Sequence, residues 1–363
     1  MKKLSLMLMF LISLTACGQK PKAKEIEVIN IENPAVQAYM ADSTYIYDTN
    51  FNTSVIMKYK DFARYGENLD WPNGKFVSWK NRTCQDSIAS IRITVSEHKN
   101  FRDSVTHSPD LKTDTCFTIR NMIPGRTYYY KVEEILINKV KRRVTKGVFR
   151  TVGQVRMIQV RGSHNIRDIG GWPTQYGVPV KYGILYRSAS LDVIKPEGRH
   201  DFAENLNVGA ELDLRSEATL VCSKLGEDKD YLLSPLVNSS KSITDRKEVF
   251  AKNLRWIIER VKEGKSVDWH CAIGCDRCGM MSFLIEGLLG LDEECLGRDY
   301  ELSSLAWKKF PRPRAPIKGM INMIKQFGPE DDLAQCFYNY WLEAGMTTDE
   351  LDYLLGVMLD LPM

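Results

Sequence analysis

The stretch Trp269-His270-Cys271-Ala272-Ile273-Gly274-Cys275-Asp276-Arg277-Cys278-Gly279 decides how this 363-residue chain is read. It holds a Cys-x5-Arg spacing between two apolar runs. Ser266-Val267-Asp268-Trp269 upstream is strand-like, and Met280-Met281-Ser282-Phe283-Leu284-Ile285-Glu286-Gly287-Leu288-Leu289 downstream is helix-like. Strand, tight loop and helix point successive backbone N–H groups into one concavity, with the positive helix end aimed at it. Such a cradle binds a tetrahedral dianion. Cys271 at its base is expected to lose its proton easily, because the amides, the helix dipole and Arg277 all favour a thiolate. Arg277 can clamp two phosphoryl oxygens through its planar fork. Gly274 leaves room for close approach. A thiolate facing a bound phosphate is a nucleophile with its substrate in place, so the spacing implies cysteine-dependent phosphoryl chemistry.

The same residues resemble the signature loop of protein tyrosine phosphatases, specifically the bacterial tyrosine phosphatase family (tyrosine/serine type) whose loop reads His-Cys-x-x-Gly-Lys-Asp-Arg-Thr-Gly. Other segments follow that family's order. Asn165-Ile166-Arg167-Asp168-Ile169-Gly170-Gly171 is similar to its Asn-Phe-Arg-Asp-Leu-Gly-Gly opening, and Gly183-Ile184-Leu185-Tyr186-Arg187-Ser188-Ala189 follows at a suitable distance. Leu212-Asp213-Leu214-Arg215-Ser216 resembles its Asp-Leu-Arg-Ser strand end, and Asp299-Tyr300-Glu301-Leu302-Ser303 its Asp-Tyr-x-x-Ser helix. The resemblance covers residues 154–363. It implies the layered α/β fold of cysteine phosphatases and a phosphomonoester hydrolase working through a phosphocysteine intermediate, without cofactor or metal.

Residue by residue, the resemblance implies Cys271 as nucleophile and Arg277 as phosphate clamp. The backbone amides of Ala272, Ile273, Gly274, Cys275, Asp276 and Arg277 would complete the cradle. Expelling an alkoxide or phenoxide needs a proton donor, and the family position implicated is Asp276. Its other reading is a carboxylate that hydrogen-bonds the loop backbone. Asp213 is the rival acid, or else holds Arg215 or the loop in place. His270 would support the loop and lower the thiol pKa. For Asn165, Arg167 and Asp168 two readings stand: a wall of the active site with Arg167 on substrate, or a buried ion-paired entry to the domain. Two departures mark this chain: Cys275 replaces a lysine and Cys278 a threonine. The first removes a cation from the cradle. The second exchanges a hydroxyl that assists the leaving sulfur for a weaker thiol donor.

Met1-Lys2-Lys3 and the apolar run Leu4 to Leu14 form a charged start and a segment too short for a stable span. Leu14-Thr15-Ala16-Cys17-Gly18 resembles the bacterial lipobox. That implies removal of residues 1–16 and lipidation at Cys17, followed by a tether over 17–40, rich in lysine up to Glu27. The expected location is the bacterial cell envelope, with the protein lipid-anchored to a membrane surface outside the cytoplasm. An ordinary secretory signal with an incidental cysteine is the alternative.

Hydrophobic residues at 44% and charged residues at 26% fit a folded globular chain. A net charge of +4 gives no case for nucleic-acid binding. Residues 41–153 read as all-β. Thr53–Met57, Phe76–Trp79, Ile91–Val95, Cys116–Ile119, Thr127–Val132 and Phe149–Thr151 alternate or are rich in β-branched residues, with turn formers between them. Ile123-Pro124-Gly125-Arg126-Thr127-Tyr128 and Val77-Ser78-Trp79 resemble the corner and core-tryptophan strand of fibronectin type III modules. The resemblance implies a sandwich whose interior takes alternate residues of the tyrosine run. Such a module would be a substrate or partner platform, or a spacer.

Residues 154–363 alternate apolar strands with helical patterns, the sign of an α/β layered sheet. Val208–Leu214 and Ser266–His270 read as central strands. Phe250–Val261, Asp331–Glu343 and Thr348–Leu359 read as helices, the last opened by a Thr347-Thr348-Asp349-Glu350 cap. Cys84 and Cys116 are placed to bridge neighbouring strands, whereas Cys222, Cys295 and Cys336 suit a core. Cys271, Cys275 and Cys278 resemble a metal ligand cluster only at first glance, since zinc sites usually need four ligands, commonly in close pairs, and only His270 is nearby. Three functions follow: a phosphatase for phosphotyrosine or related phosphomonoesters, an inositol-phosphate or phospholipid phosphatase, and a catalytically weak phosphate-binding module whose β domain contacts a protein partner.

Overall fold

The computed structural model describes residues 25–41, 71–109, 112–216, 222–306, 312 and 314–359. The segment read as a signal peptide, Cys17 and the strand expected at Thr53–Met57 lie outside the described residues.

The N-terminal part is built from β1 (Glu27–Asn30), β2 (Lys75–Ser78), β3 (Ile88–Ser96), β4 (Val105–His107), β5 (Cys116–Ile119), β6 (Thr127–Leu136) and β7 (Lys141–Val152). One sheet runs β1-β7-β6-β3-β4 and a second pairs β2 with β5. Alternation explains what they share: Val77, Ile91, Ile93, Ile119, Tyr128, Val132 and Phe149 turn inward to one apolar cluster. Gly125 takes φ +76 in the turn before β6, a conformation that favours glycine. Tyr128 closes the corner by accepting the Ile123 N–H on its hydroxyl at 3.0 Å.

The tether expected through residue 40 gives way to ordered structure at Glu27. β1 pairs in parallel with β7, from Glu27 opposite Phe149 to Asn30 opposite Val152. Helix α1 (Pro34–Ala41) then buries Ala35, Val36 and Tyr39 in the core of the C-terminal part. Polar bonds fix this segment. Glu32 accepts the N–H groups of Gln154 and Val155 at 2.9 and 2.8 Å, and the Tyr39 hydroxyl donates to Glu301 at 2.5 Å. The segment is thus held by apolar burial together with hydrogen bonds to residues far away in sequence, which local patterning does not reveal.

The C-terminal part carries β8 (Met157–Ile158), β9 (Ile166–Asp168), β10 (Leu185–Ser188), β11 (Val208–Asp213), β12 (Asp230–Leu233) and β13 (Ser266–His270), in sheet order β12-β11-β13-β10-β9-β8. The four strands from β12 to β10 are parallel. Around them lie α2 (Pro196–Arg199), which continues into a π-helical turn at His200–Asn205, α3 (Ser242–Asp245), α4 (Lys247–Lys262), α5 (Asp276–Leu288), α6 (Glu293–Ala306), α7 (Ala315–Ile324), α8 (Leu333–Glu343) and α9 (Thr348–Leu359). In α4, Phe250, Leu254, Ile257, Ile258 and Val261 recur at helical spacing and are buried. Thr347 and Glu350 open α9 reciprocally: the Thr347 N–H donates to the Glu350 carboxylate at 2.8 Å, and the Glu350 N–H to the Thr347 hydroxyl at 3.3 Å. Every residue of β13 is buried, as befits a strand flanked on both sides. In such sheets a site lies beyond the carboxyl ends of the strands, where Cys271 follows His270. Among the described residues no helix is long and apolar enough to cross a membrane.

Candidate active site

The loop between β13 and α5 is bent tightly against β10. Gly274 has φ +70, and a Cβ there would sit 2.7 Å from the Ser188 carbonyl. Only glycine fits. Helix α5 begins at Asp276, so the loop amides gather at its N-terminus.

Four polar side chains hold this loop from below. Arg187 donates to the carbonyls of Gly274 and Cys275 at 2.9 and 3.1 Å, and to Asp299 at 2.6 Å. Arg167 donates to the other oxygen of Asp299 at 2.8 Å and to Asn165 at 2.9 Å. Asn165 passes the contact on, its amide donating to the Ile273 carbonyl at 3.0 Å. All four residues are buried. Burial alone would raise the Asp299 pKa, but the two guanidinia hold it below its ordinary value. Of the two readings of Arg167, the buried ion pair describes its place: the side chain has no exposure through which to meet a substrate. Asp168 is likewise turned away, accepting from Arg156 at 2.8 Å and from the N–H groups of Gly170 and Gly183.

The Cys271 thiol is drawn down from 9.0 to about 5. The largest cause is a hydrogen bond from the Cys278 thiol. Burial opposes it, while the N–H groups of Cys278 and Ile273 and the charge of Arg277 add to it. The Cys278 thiol also lies 3.6 Å from the carbonyls of Ser188 and Trp269, so these acceptors compete with the Cys271 sulfur for its one proton. Cys278 itself is pushed well up by burial and by the neighbouring sulfur, so it keeps its proton to donate. Burial also pushes the Cys275 thiol up, to about 11. His270 lies beneath, its Nε2 2.9 Å from Glu211. Burial disfavours the imidazolium, yet Glu211 raises its pKa overall.

At the mouth the chemistry differs. Asp276 is partly exposed and accepts from the Tyr300 hydroxyl at 3.0 Å and from Arg312 Nε at 3.1 Å. Its side chain thus meets groups from outside the loop, a feature absent from both readings of the sequence. Arg312 is fixed by its backbone, whose N–H donates to the Ser304 hydroxyl at 2.7 Å. Asp213 is buried and engaged by Arg215 at 2.8 Å and by the Tyr231 hydroxyl at 3.1 Å. Burial raises its pKa, but Arg215 brings it below the ordinary value. A carboxyl so held is a poor proton donor.

Ala272 is exposed, and Ile273 and Arg277 are half-buried on the loop. Arg187, Asp299, Tyr300, Arg312 and Glu211 carried no assigned role in the sequence. Arg187, Asp299 and Tyr300 lie inside motifs that signalled them, whereas nothing local marks Arg312 or Glu211. Of the other cysteines, all but Cys336 depart from expectation. Cys84 and Cys116 are free and exposed; in β5, Cys116 pairs across the sheet with Ser78. Cys222 is also exposed and Cys295 half-buried, while Cys336 is buried. Among the described residues no three His, Cys, Asp or Glu side chains gather as a metal site.

Residues 158–350 match the sequence model of the tyrosine phosphatase family. Among solved structures, the chain is similar to the Siw14 catalytic core at 20% identity, covering 47% of this chain and 95% of that one, with a TM-score of 0.29. It is similar also to the core catalytic domain of the PP-IP phosphatase SIW14 from S. cerevisiae in complex with citrate, at 17% identity, 47% and 96% coverage and a TM-score of 0.29. No curated protein sequence matches it. With the family match spanning more than half of its 363 residues, the chain belongs to the tyrosine phosphatase family and is a cysteine-type phosphatase.

Proposed function

We propose that the protein hydrolyses phosphomonoesters, phosphotyrosine in proteins foremost, through a phosphocysteine intermediate on Cys271. The Cys271 sulfur attacks phosphorus as the bond to the leaving oxygen breaks. Arg277 and the amides of residues 272–277 take up the charge on the equatorial oxygens. Asp276, in its protonated form, gives its proton to the leaving oxygen. Water then cleaves the S–P bond and returns a proton to Asp276. His270, Asp213 and Arg167 support the loop, Asp168 holds Arg156 and the Gly170 and Gly183 turns, and none of the four touches substrate. The observation that carries this reading is the loop itself: Cys271 follows β13 directly, Gly274 bends the chain at φ +70, and helix α5 begins at Asp276, so the sulfur and the loop amides gather before the helix N-terminus.

A second reading, an inositol-phosphate or phospholipid phosphatase, draws on Arg312. Its guanidinium at Asp276 brings a cation to the mouth, where the loop lacks the family's lysine. Purified protein, offered tyrosine phosphopeptides, inositol phosphates and phosphoinositides with a chelator present, separates the two. Highest kcat/KM on phosphopeptides is expected. The reverse order assigns the second reading, and phosphate binding without turnover of any of them assigns the weak binding module.

The remaining proposals concern placement. Leu14 to Gly18 supports lipidation at Cys17 and a position outside the cytoplasm of a bacterium, and Cys17→Ser should move the protein from the membrane to the soluble fraction. The Pro124-Gly125 turn and the Tyr128 corner support a fibronectin type III-like module.

A further inference from the structure

We propose that a groove between the β region and the phosphatase sheet receives the extended polypeptide that flanks the phosphorylated residue of the substrate. The inference rests on the protein-phosphate reading above and narrows it to substrates with a long flank.

Two cavities, of about 530 and 640 Å³, share Arg161. The first opens among β4, β5 and the turn from α2 into His200–Asn205. Among the described residues β4 ends its sheet and β5 pairs only with β2. Two edge strands therefore border the same cavity; the Thr106 carbonyl of β4 already accepts from the Asn205 amide at 3.2 Å, so it is β5 whose unpaired side offers backbone N–H and C=O groups to an added extended chain. A side chain points the same way. His107 is only 9% exposed, with Nδ1 3.5 Å from Asp201, and its buried Nε2 has no hydrogen-bond partner. An unmade buried hydrogen bond is costly, and a ligand in this cavity would complete it.

The lining decides the class of ligand. Arg120 and Arg161 line the cavity together with Asp114, Glu197 and Asp201. A phosphate-dense ligand would meet these carboxylates, whereas a polypeptide of mixed charge and many amides meets a matching surface. The second cavity continues from Arg161 past Ser163 and His164, with Lys195 and the 37%-exposed Trp71 on its walls. Directly after His164, Asn165 holds the Ile273 carbonyl of the signature loop. The cavity also touches Ala306, at the end of the helix whose Ser304 fixes Arg312 beside Asp276. Ser163 and His164 in turn bond to Ser190 and Ala189, and the Ser190 N–H donates to the Ala272 carbonyl at 3.4 Å, which sets the end of the second cavity one residue pair away from the signature loop.

The test compares tyrosine phosphopeptides of ~4 and ~14 residues, extended to either side, since each extended residue spans about 3.4 Å. In the full-length protein one long peptide should exceed the short one in kcat/KM by about tenfold. Arg161→Ala with Lys195→Ala, both exposed side chains, should bring that ratio close to one. Circular dichroism of the variant checks its fold, and His107→Gln gives a second, independent perturbation of the ratio. Equal kcat/KM for long and short peptides in the wild type overturns the groove alone. So does a length advantage untouched by all these substitutions. Hydrolysis of inositol phosphates with neither peptide turned over would overturn the protein-phosphate reading itself.

Discussion

The underside of the signature loop and its mouth use the same residue types for opposite ends. Beneath the loop, Arg167, Arg187 and Asp299 are buried and locked to one another and to loop carbonyls. At the mouth, Asp276 and Arg312 form a partly exposed pair with Tyr300. Buried ion pairs contribute little net stability against an apolar replacement, but losing one partner strands the other charge. The underside therefore makes the loop unable to relax, and the mouth leaves a carboxylate able to change partners. A motif rich in charge is not by itself a map of catalytic groups. Among these ion-paired groups exposure separates the underside from the mouth, while the nucleophile Cys271 is itself buried.

The comparison breaks most visibly at Asp299. Asp299→Ala leaves two guanidinia buried without their shared carboxylate and should cost roughly 3–5 kcal/mol of stability. Denaturant unfolding measures this, and an unchanged midpoint would mean that the underside is not the scaffold described. At the mouth the expectation is reversed. Asp276→Asn should unfold as the wild type does, yet lose about 10²-fold in kcat on phosphotyrosine and much less on an aryl phosphate with a good leaving group. Uniform loss across leaving groups would assign Asp276 to the scaffold.

Smaller effects sharpen the picture. Alkylation of Cys271 by iodoacetamide should reach half its limiting rate near pH 5, where its thiol is placed. Cys278→Ala removes the donor that contributes most to the thiolate, so the profile should move to higher pH. No movement would leave the amides and Arg277 as its sole support. Asp268 gives the smallest change. Burial lifts its carboxyl from 3.8 to about 7, and a pKa raised on folding adds stability that is complete below the unfolded value and lost as pH rises through the folded one. Asp268→Asn keeps an acceptor for the Ser188 hydroxyl, which donates to it at 2.7 Å. The variant should therefore gain in melting temperature over the wild type at about pH 8 and gain less at about pH 5.

Much of this was legible in the residues because local rules carried it. Cys271, Arg277 and Gly274 follow from what a phosphate cradle requires of a strand–loop–helix turn, and periodicity set the central strand and the terminal helices. What escaped depends on contacts distant in sequence. Arg312 reaches Asp276 from beyond α6, and Glu211 reaches His270 from the neighbouring strand. No spacing rule links such pairs. The segment from Glu27 to Ala41 was misread for a related reason: it is fixed by Glu32, Tyr39 and a parallel pairing with β7, all to partners distant in sequence. The part played by Cys278 needed the sulfur's surroundings. Residue type alone marks a thiol as the weaker donor; only the fold shows that Cys278 is buried beside the Cys271 sulfur and keeps its proton there.

The central claim is that phosphate passes through Cys271. Mixing the wild type with excess tyrosine phosphopeptide, quenching in denaturant and mapping the digest by mass spectrometry tests it directly. A phosphoryl group on the peptide bearing Cys271, absent from Cys271→Ser together with all turnover, is the expected result. Undiminished hydrolysis by Cys271→Ser, or a phosphoryl group found only on another residue, would contradict it.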